Sequence, residues 1–270
     1  MRRKLLIVIL TVALFIGATF LGVSATFRVD AVTLNSSEIS QPAKAEAEEL
    51  LERLEDVYVN KSIFRVKKSE AAAVLSEFPY FRITSFKRAY PNRVVIDIAE
   101  GEEVYALENA DKEGEYYILN SEGTVLGVRA DSNNRLDGER NVLLKKYTCS
   151  GEKGGKLTGD TALTPTLSIC SAIIQRLDGI RGNVCSVEVI ARTNTAQGTV
   201  LMLQMQEGVE LYVYSAANAT QEKAEILIDA YLGLSVENRL SGKLMVYENT
   251  EGELKVAYRP EGGLPADLPE

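Results

Sequence analysis

The first hydrophobic pattern in the chain is an uncharged apolar run, LLIVILTVALFIGATFLGV, at Leu5–Val23. At about 1.5 Å rise per residue, such a run makes a helix of roughly 28 Å, which matches the hydrocarbon core of a bilayer. The pattern predicts a single membrane helix over 5–26. A basic cytoplasmic tail at 1–4 precedes it, and the remainder is expected on the extracytoplasmic side. A signal peptide cleaved after Ala25 is the alternative.

Extended segments and two amphipathic stretches follow between residues 27 and 100. Apolar residues at helical spacing predict a helix capped by Ser40, with Ala43, Ala47, Leu50, Leu51 and Leu54 on one face. A second helix is predicted over 67–77 and strands over 27–34, 80–89 and 93–98. The order strand, helix, helix, strand, strand predicts a compact α+β domain over 27–100.

The third region, 101–259, alternates short strand patterns with two further helices. Strands are predicted at 116–126, as a hairpin, and at 142–147, 184–190, 199–205, 209–214, 243–248 and 253–258. Helices are predicted from Thr164, with Leu167, Cys170, Ile174 and Leu177 inward, and from Thr220, with Ala224, Leu227, Ile228 and Tyr231 inward. We therefore expect a mixed β-rich domain with an antiparallel sheet and two helices. The Pro- and Gly-rich residues 260–270 are expected to be disordered.

Charge and composition exclude several classes of function. Beyond the basic tail, 27 Lys and Arg face 38 Asp and Glu, which argues against nucleic acid or an anionic lipid surface as ligand. The chain has no histidine, so Ser-His-Asp and Cys-His nucleophile pairs and ordinary zinc sites are excluded. We predict no catalytic residue, no cofactor and no metal. Cys149, Cys170 and Cys185 allow one disulfide at most or three free thiols, and the sequence leaves both open.

Three stretches resemble the FtsQ/DivIB family of bacterial cell-division proteins. Asn60–Val66 is similar to that family's N-x-x-[IL]-F loop, and Phe86–Glu100 fits its V-x-R-x-x-P-x-x-L-x-I-x-V-x-E pattern. Tyr117–Leu126, with Gly123, resembles the segment that opens the family's second, β-rich domain, although Asn120 stands where Asp is usual. The resemblance implies a POTRA domain of β-α-α-β-β order at 27–100 and a β domain at 101–259.

The same resemblance implies a non-enzymatic role. Proteins of this family are bitopic scaffolds of the divisome that support septum formation and bind small division proteins of the FtsB/DivIC and FtsL type. If the last strand is an open sheet edge, as the resemblance implies, a partner strand can add to it through backbone hydrogen bonds. Lys255, Val256, Ala257 and Tyr258 are then the expected contact segment, with Tyr258 as the aromatic anchor.

Two other functions fit the sequence less well. POTRA units also occur in export and envelope-assembly components, but the long series of strands typical of a transmembrane barrel is missing here. A secreted hydrolase that uses carboxylates alone is the other alternative. The many acidic residues, however, lie mainly on the polar faces of predicted helices, where solvation explains them.

Overall fold

The computed structural model describes residues 26–36, 39–110, 112–191, 198–261 and 263–264, together with Val12. The chain divides into two compact units, and the boundary falls between Gly101 and Glu102.

Within the described part of the chain, no helix is both long and apolar enough to cross a bilayer. The predicted fold class is therefore wrong in its membrane helix, which is not found. The range 5–26 to which that helix was assigned lies outside the described residues except for Val12 and Thr26. The predicted tail at 1–4 and the cleavage site after Ala25 lie outside them as well, as do residues 262 and 265–270 of the C-terminal segment.

The first unit is a three-stranded sheet packed against two helices. Its elements are β1 (Ala31–Ser36), α1 (Gln41–Tyr58), α2 (Lys68–Leu75), β2 (Phe81–Ala89) and β3 (Arg93–Glu100). The strand order is β1-β3-β2, with β1 parallel and β2 antiparallel to the central strand. The order strand, helix, helix, strand, strand is the predicted one.

Local signals explain the helix α1. Ser40 Oγ accepts a hydrogen bond from the backbone N–H of Ala43 at 3.2 Å, so the predicted cap is confirmed. Of the predicted inward residues, Ala43, Ala47, Leu50 and Leu54 are buried, whereas Leu51 packs at the margin of the core.

The first strand begins later than predicted. Residues 27–29 do not join the sheet, because their backbone pairs with the loop after α1. The N–H of Val29 donates to the Lys61 carbonyl at 2.8 Å, and the N–H of Ile63 donates to the Phe27 carbonyl at 2.9 Å. Backbone groups that the sequence pattern assigned to a strand of the sheet are therefore hydrogen-bonded to this loop instead.

The second unit contains a nine-stranded sheet. Its strands are β4 (Tyr105–Glu108), β5 (Tyr116–Leu119), β6 (Val125–Arg129), β7 (Val142–Lys145), β8 (Val184–Ala191), β9 (Val200–Met205), β10 (Glu210–Val213), β11 (Lys243–Glu248) and β12 (Leu254–Arg259). Its helices are α3 (Leu163–Arg176), α4 (Thr220–Gly233) and the short α5 (Val236–Arg239). The strand order is β12-β11-β10-β9-β8-β7-β4-β5-β6.

Both expected helices are present as α3 and α4, with the short α5 in addition, but the expectation of an antiparallel sheet is wrong for this unit. Three neighbouring pairs are parallel, namely β4 with β7, β7 with β8, and β10 with β11. Neighbouring parallel strands need a crossover, and helices supply it in two cases. The helix α3 connects β7 to β8, while α4 and α5 connect β10 to β11. Where a helical crossover connects two neighbouring strands of this sheet, the two strands run parallel.

The helices α3 and α4 contact each other and share a core with one face of the sheet. The predicted inward residues of α4 are all buried. In α3, Cys170 is buried, but Leu167, Ile174 and Leu177 lie at the core margin. The fully sheltered positions in the same helix also include Ile169 and Ile173. The buried face of α3 is therefore wider than the single row of inward residues that the sequence predicts.

A buried carboxylate organises the beginning of the second unit. Glu103 is fully buried, and its two oxygens accept hydrogen bonds from Arg129 Nη1 and Nη2 at 3.1 and 2.9 Å. Glu103 Oε2 also accepts from the backbone N–H of Arg135 at 3.1 Å and from Asn141 Nδ2 at 3.3 Å. Asn134 Nδ2 donates to the Glu103 carbonyl at 2.9 Å. The residue thus ties the end of β6 to the loop that leads into β7.

The substitution Glu103→Gln is expected to lower the free energy of unfolding by about 3 kcal/mol, because the Arg129 guanidinium loses the charge that compensates its burial. Urea denaturation followed by circular dichroism measures this. The matched control is Glu102→Gln, since the Glu102 side chain is 64% exposed and its ion pair with Arg181 lies on the surface. It should cost less than about 1 kcal/mol. Equal losses in both variants would contradict the role of Glu103.

No disulfide joins the three cysteines, all of which lie in the described part of the chain. Cys149 and Cys170 are buried, and Cys185 on β8 is half-buried. Burial raises the pKa of the Cys170 thiol to about 12. A thiol with that pKa carries almost no thiolate near neutral pH, so Cys170 behaves as a small apolar side chain.

Thiol labelling of the native chain at pH 8 should therefore modify Cys185 first and leave Cys170 unmodified until the protein unfolds. Peptide mass spectrometry after iodoacetamide treatment, with and without urea, identifies the modified positions. Modification of Cys170 in the folded chain at a rate equal to that of Cys185 would contradict its burial.

Candidate functional site at the open edge of the large sheet

The predicted contact segment lies on the terminal strand of the nine-stranded sheet. The strand β12 pairs with β11 in an antiparallel ladder without a bulge, from Lys243 opposite Arg259 to Glu248 opposite Leu254. No other described strand pairs with β12. Alternate backbone N–H and C=O groups along the outer side of this strand are therefore available to an added strand.

The side chains of β12 are divided between the two faces of the sheet. Val256 and Tyr258 pack against the main core, and Ala257 packs against the cluster of Val200, Tyr214, Met245 and Tyr247. Lys255 and Arg259 are exposed. The structure thus brings the four predicted residues together on one edge, although three of their side chains also serve the fold.

Tyr258 is held by the protein itself. Its hydroxyl donates a hydrogen bond to the Ser241 carbonyl at 3.0 Å, and its ring is only partly exposed. A partner can still cover the exposed part of the ring, but the side chain is already oriented. The partner-binding role of Lys255, Val256, Ala257 and Tyr258 stays a prediction.

A well-formed turn fixes the beginning of the strand. Asn249 Oδ1 accepts hydrogen bonds from the N–H groups of Glu251 and Glu253 at 3.0 and 2.8 Å. Lys255 Nζ lies 2.8 Å from Glu253 Oε2, and this hydrogen bond keeps the pKa of the Glu253 carboxyl below its usual range. The edge is therefore preformed, so an added strand need not order it first.

The opposite edge of the same sheet is covered at its beginning. At β6, the Val125 N–H donates to the Gly155 carbonyl at 2.9 Å, and the Gly154 N–H donates to the Val125 carbonyl at 2.8 Å. Lys156 Nζ adds a hydrogen bond to the Glu122 carbonyl. Natural proteins commonly cover edge strands with loops in this way. The two edges of the sheet are therefore not equivalent.

A buried lysine supports the strands next to β12. Lys223 on α4 is fully buried, and its Nζ donates to the carbonyls of Tyr214 and Ser215, both at 3.0 Å, and to Glu248 Oε1 at 2.9 Å. All three donors of the ammonium group are thus used. The contact joins α4 to the ends of β10 and β11. Sequence reasoning missed it, although Lys223 directly precedes the inward residue Ala224.

The buried carboxylates Glu103 and Asp160 each accept hydrogen bonds from several neighbouring groups. Glu103 is saturated by the donors described above. Asp160 accepts from the N–H groups of Thr148 and Ala162, each at 2.9 Å, and so holds the loop before α3. In the part of the chain that is described, no cluster of three or more acidic or cysteine side chains could hold a metal ion.

Two glycines at the ends of the β11–β12 hairpin provide a matched test of how the edge is held. Both have positive φ, +90° at Gly242 and +80° at Gly252. A Cβ at Gly242 would lie 2.9 Å from the Arg259 carbonyl oxygen and 2.9 Å from the Tyr258 hydroxyl, whereas a Cβ at Gly252 would meet nothing within 4 Å. The two positions therefore differ in space and not in backbone strain.

We expect Gly242→Ala to destabilise the chain by at least about 2 kcal/mol and to speed amide exchange at the Tyr258 end of β12. The reason is that its new methyl group adds a steric clash to the strain. Gly252→Ala should cost about 1 kcal/mol, from the strain alone. Thermal unfolding and hydrogen exchange measure both effects. A larger loss for Gly252→Ala would contradict the packing of Gly242 under β12.

Comparison with known proteins identifies no family. No protein-family model matches the chain, and no curated protein matches its sequence. The resemblance to the FtsQ/DivIB family therefore stays a prediction that depends on the quoted motifs.

Proposed function

We propose that the chain is a non-enzymatic scaffold of the bacterial division machinery, of the FtsQ/DivIB type, which acts at the septum on the extracytoplasmic side. In this proposal it binds small division proteins of the FtsB/DivIC and FtsL type by taking up one of their strands along β12. The open, bulge-free outer edge of β12 is the observation that carries the proposal.

The first unit supports the proposal through the residues that carry the resemblance. Arg88 donates from Nη2 to the Val66 carbonyl at 2.6 Å, which joins β2 to the loop of the N-x-x-[IL]-F motif. Glu100 accepts hydrogen bonds from the Ser40 N–H and Oγ at 2.8 and 2.9 Å, which joins the end of β3 to the start of α1. These motif residues therefore have fold-stabilising roles in a unit of β-α-α-β-β order.

The chemistry of strand addition suits the β12 edge. Backbone hydrogen bonds provide affinity without a specific side chain, and the side chains on each face provide selectivity. Lys255 and Arg259 are exposed on this strand, and cations on an edge strand discourage pairing with identical edges. We therefore expect a partner strand with acidic side chains opposite them.

The test compares a proline on each edge of the large sheet. Ala257→Pro interrupts the backbone of β12, and Val128→Pro does the same on β6, where Val128 is 43% exposed. The full chain is co-expressed with candidate division proteins and purified, and bound partners are quantified. Ala257→Pro should reduce partner recovery at least tenfold, and Val128→Pro should leave it nearly unchanged.

Hydrogen exchange on the unsubstituted complex makes the test independent of whether Ala257→Pro folds. Amides of Leu254–Arg259 should become protected on partner binding, and those of Val125–Arg129 should not. Protection on β6 alone would contradict the proposed edge. Recovery of varied exported chains in place of division proteins would instead support an envelope-assembly role.

A further inference from the structure

Three aromatic rings meet on the surface of the first unit. The ring centroids of Phe27 and Phe64 are 5.2 Å apart, those of Phe64 and Tyr90 are 5.8 Å apart, and those of Phe27 and Tyr90 are 6.4 Å apart. Phe64 and Tyr90 are 57% and 58% exposed. These three residues form the aromatic patch. An exposed cluster of large rings costs solubility, which indicates a binding role.

The fold fixes the aromatic patch in place. Each ring comes from a different segment, and backbone hydrogen bonds join the segments. The Ile63 N–H donates to the Phe27 carbonyl at 2.9 Å, and the Asp30 N–H donates to the Asn92 carbonyl at 2.9 Å. The patch is thus part of the folded unit, and the rings contact one another before any ligand arrives.

The same segments are strongly basic. Residues 26–30, 60–68 and 87–93 contain eight Lys or Arg and a single acidic residue, in a chain of net charge −8. Four of these cations, Arg28, Arg65, Lys68 and Arg93, are exposed and form no ion pair with any described residue. We call these four residues the basic rim.

The local charge can act against the net charge of the chain. At physiological ionic strength, charges separated by more than about 8 Å are largely screened. Two acidic residues outside these segments lie against them, Glu70 beside Lys61 and Asp97 beside Lys87, but neither is paired with a cation of the basic rim. More distant acidic residues are screened. A negatively charged surface would meet an aromatic patch bordered by cations.

We propose that the aromatic patch and the basic rim dock on an anionic phospholipid surface. Tyr favours the headgroup level of a bilayer, Phe enters the boundary between headgroups and acyl chains, and Lys and Arg are attracted to anionic lipids. Charge complementarity and the rings together favour lipid over an acidic protein segment, since the four cations of the basic rim match anionic headgroups and the exposed rings of Phe64 and Tyr90 match the apolar boundary beneath them. This surface lies in the first unit and does not depend on partner binding at β12.

The absence of tryptophan from the chain allows a sharp test. Phe64→Trp places a single fluorophore in the aromatic patch. Val236→Trp places one at a 76% exposed apolar position of the second unit and is the control. Both full-length variants are reconstituted with vesicles of phosphatidylethanolamine and phosphatidylglycerol that contain spin-labelled lipid. Because both keep residues 1–26, any difference between them reports contact at the fluorophore.

We expect a blue-shifted emission and strong quenching by the labelled lipid for Phe64→Trp, and neither effect for Val236→Trp. Vesicles of phosphatidylcholine alone should abolish most of the quenching. Adding Arg28→Gln and Arg65→Gln should weaken the lipid contact roughly fivefold for each cation removed. Adding Arg82→Gln, an exposed cation at the far end of β2, should not.

Three outcomes would overturn the proposal. One is an unshifted, unquenched Phe64→Trp in anionic vesicles, and another is equal quenching at Val236→Trp. The third is a Phe64→Trp signal that responds to polyglutamate but not to the vesicles, which would assign the surface to an acidic protein segment.

Discussion

The second unit depends on the burial of one face of its nine-stranded sheet under α3 and α4. Removal of apolar surface from water is the main favourable term in folding, and a sheet this wide exposes much of it. Both helices belong to crossovers, so the requirement to cover the sheet also decides strand direction. The parallel pairs β7–β8 and β10–β11 flank the connections that contain them. The need to bury the apolar face of the sheet therefore accounts both for the position of the helices and for the parallel direction of these strand pairs.

The sequence predicted correctly those elements that depend on residues close together in the chain. The start of α1 was predictable because Ser40 and Ala43 are three residues apart, and the buried face of α4 follows from a single stripe. The helix–strand order of the first unit was predictable for the same reason. In contrast, β4 was missed, because Tyr105, Ala106 and Leu107 are all buried and the strand lacks the alternation of apolar and polar residues that marks a half-buried strand.

The features that the sequence did not predict depend on contacts between residues far apart in the chain. Glu103 contacts Arg129 and Asn141, which lie 26 and 38 residues further along the chain, and Lys223 contacts Glu248, 25 residues further along. Nothing in the neighbouring residues marks a glutamate or a lysine as buried. The contact segment at 255–258 came from a family resemblance. Its position on an open edge depends on the order of nine strands, which no local pattern specifies.

The position of the open edge has a consequence for the order of events during synthesis. The strand β12 follows all other strands of its sheet in the chain, whereas the covered edge at β6 comes early. A growing chain therefore cannot present β12 as the edge of this sheet until the eight other strands have been made. Under the proposed function, a partner that adds a strand to β12 would therefore bind only chains in which all nine strands of the sheet are present.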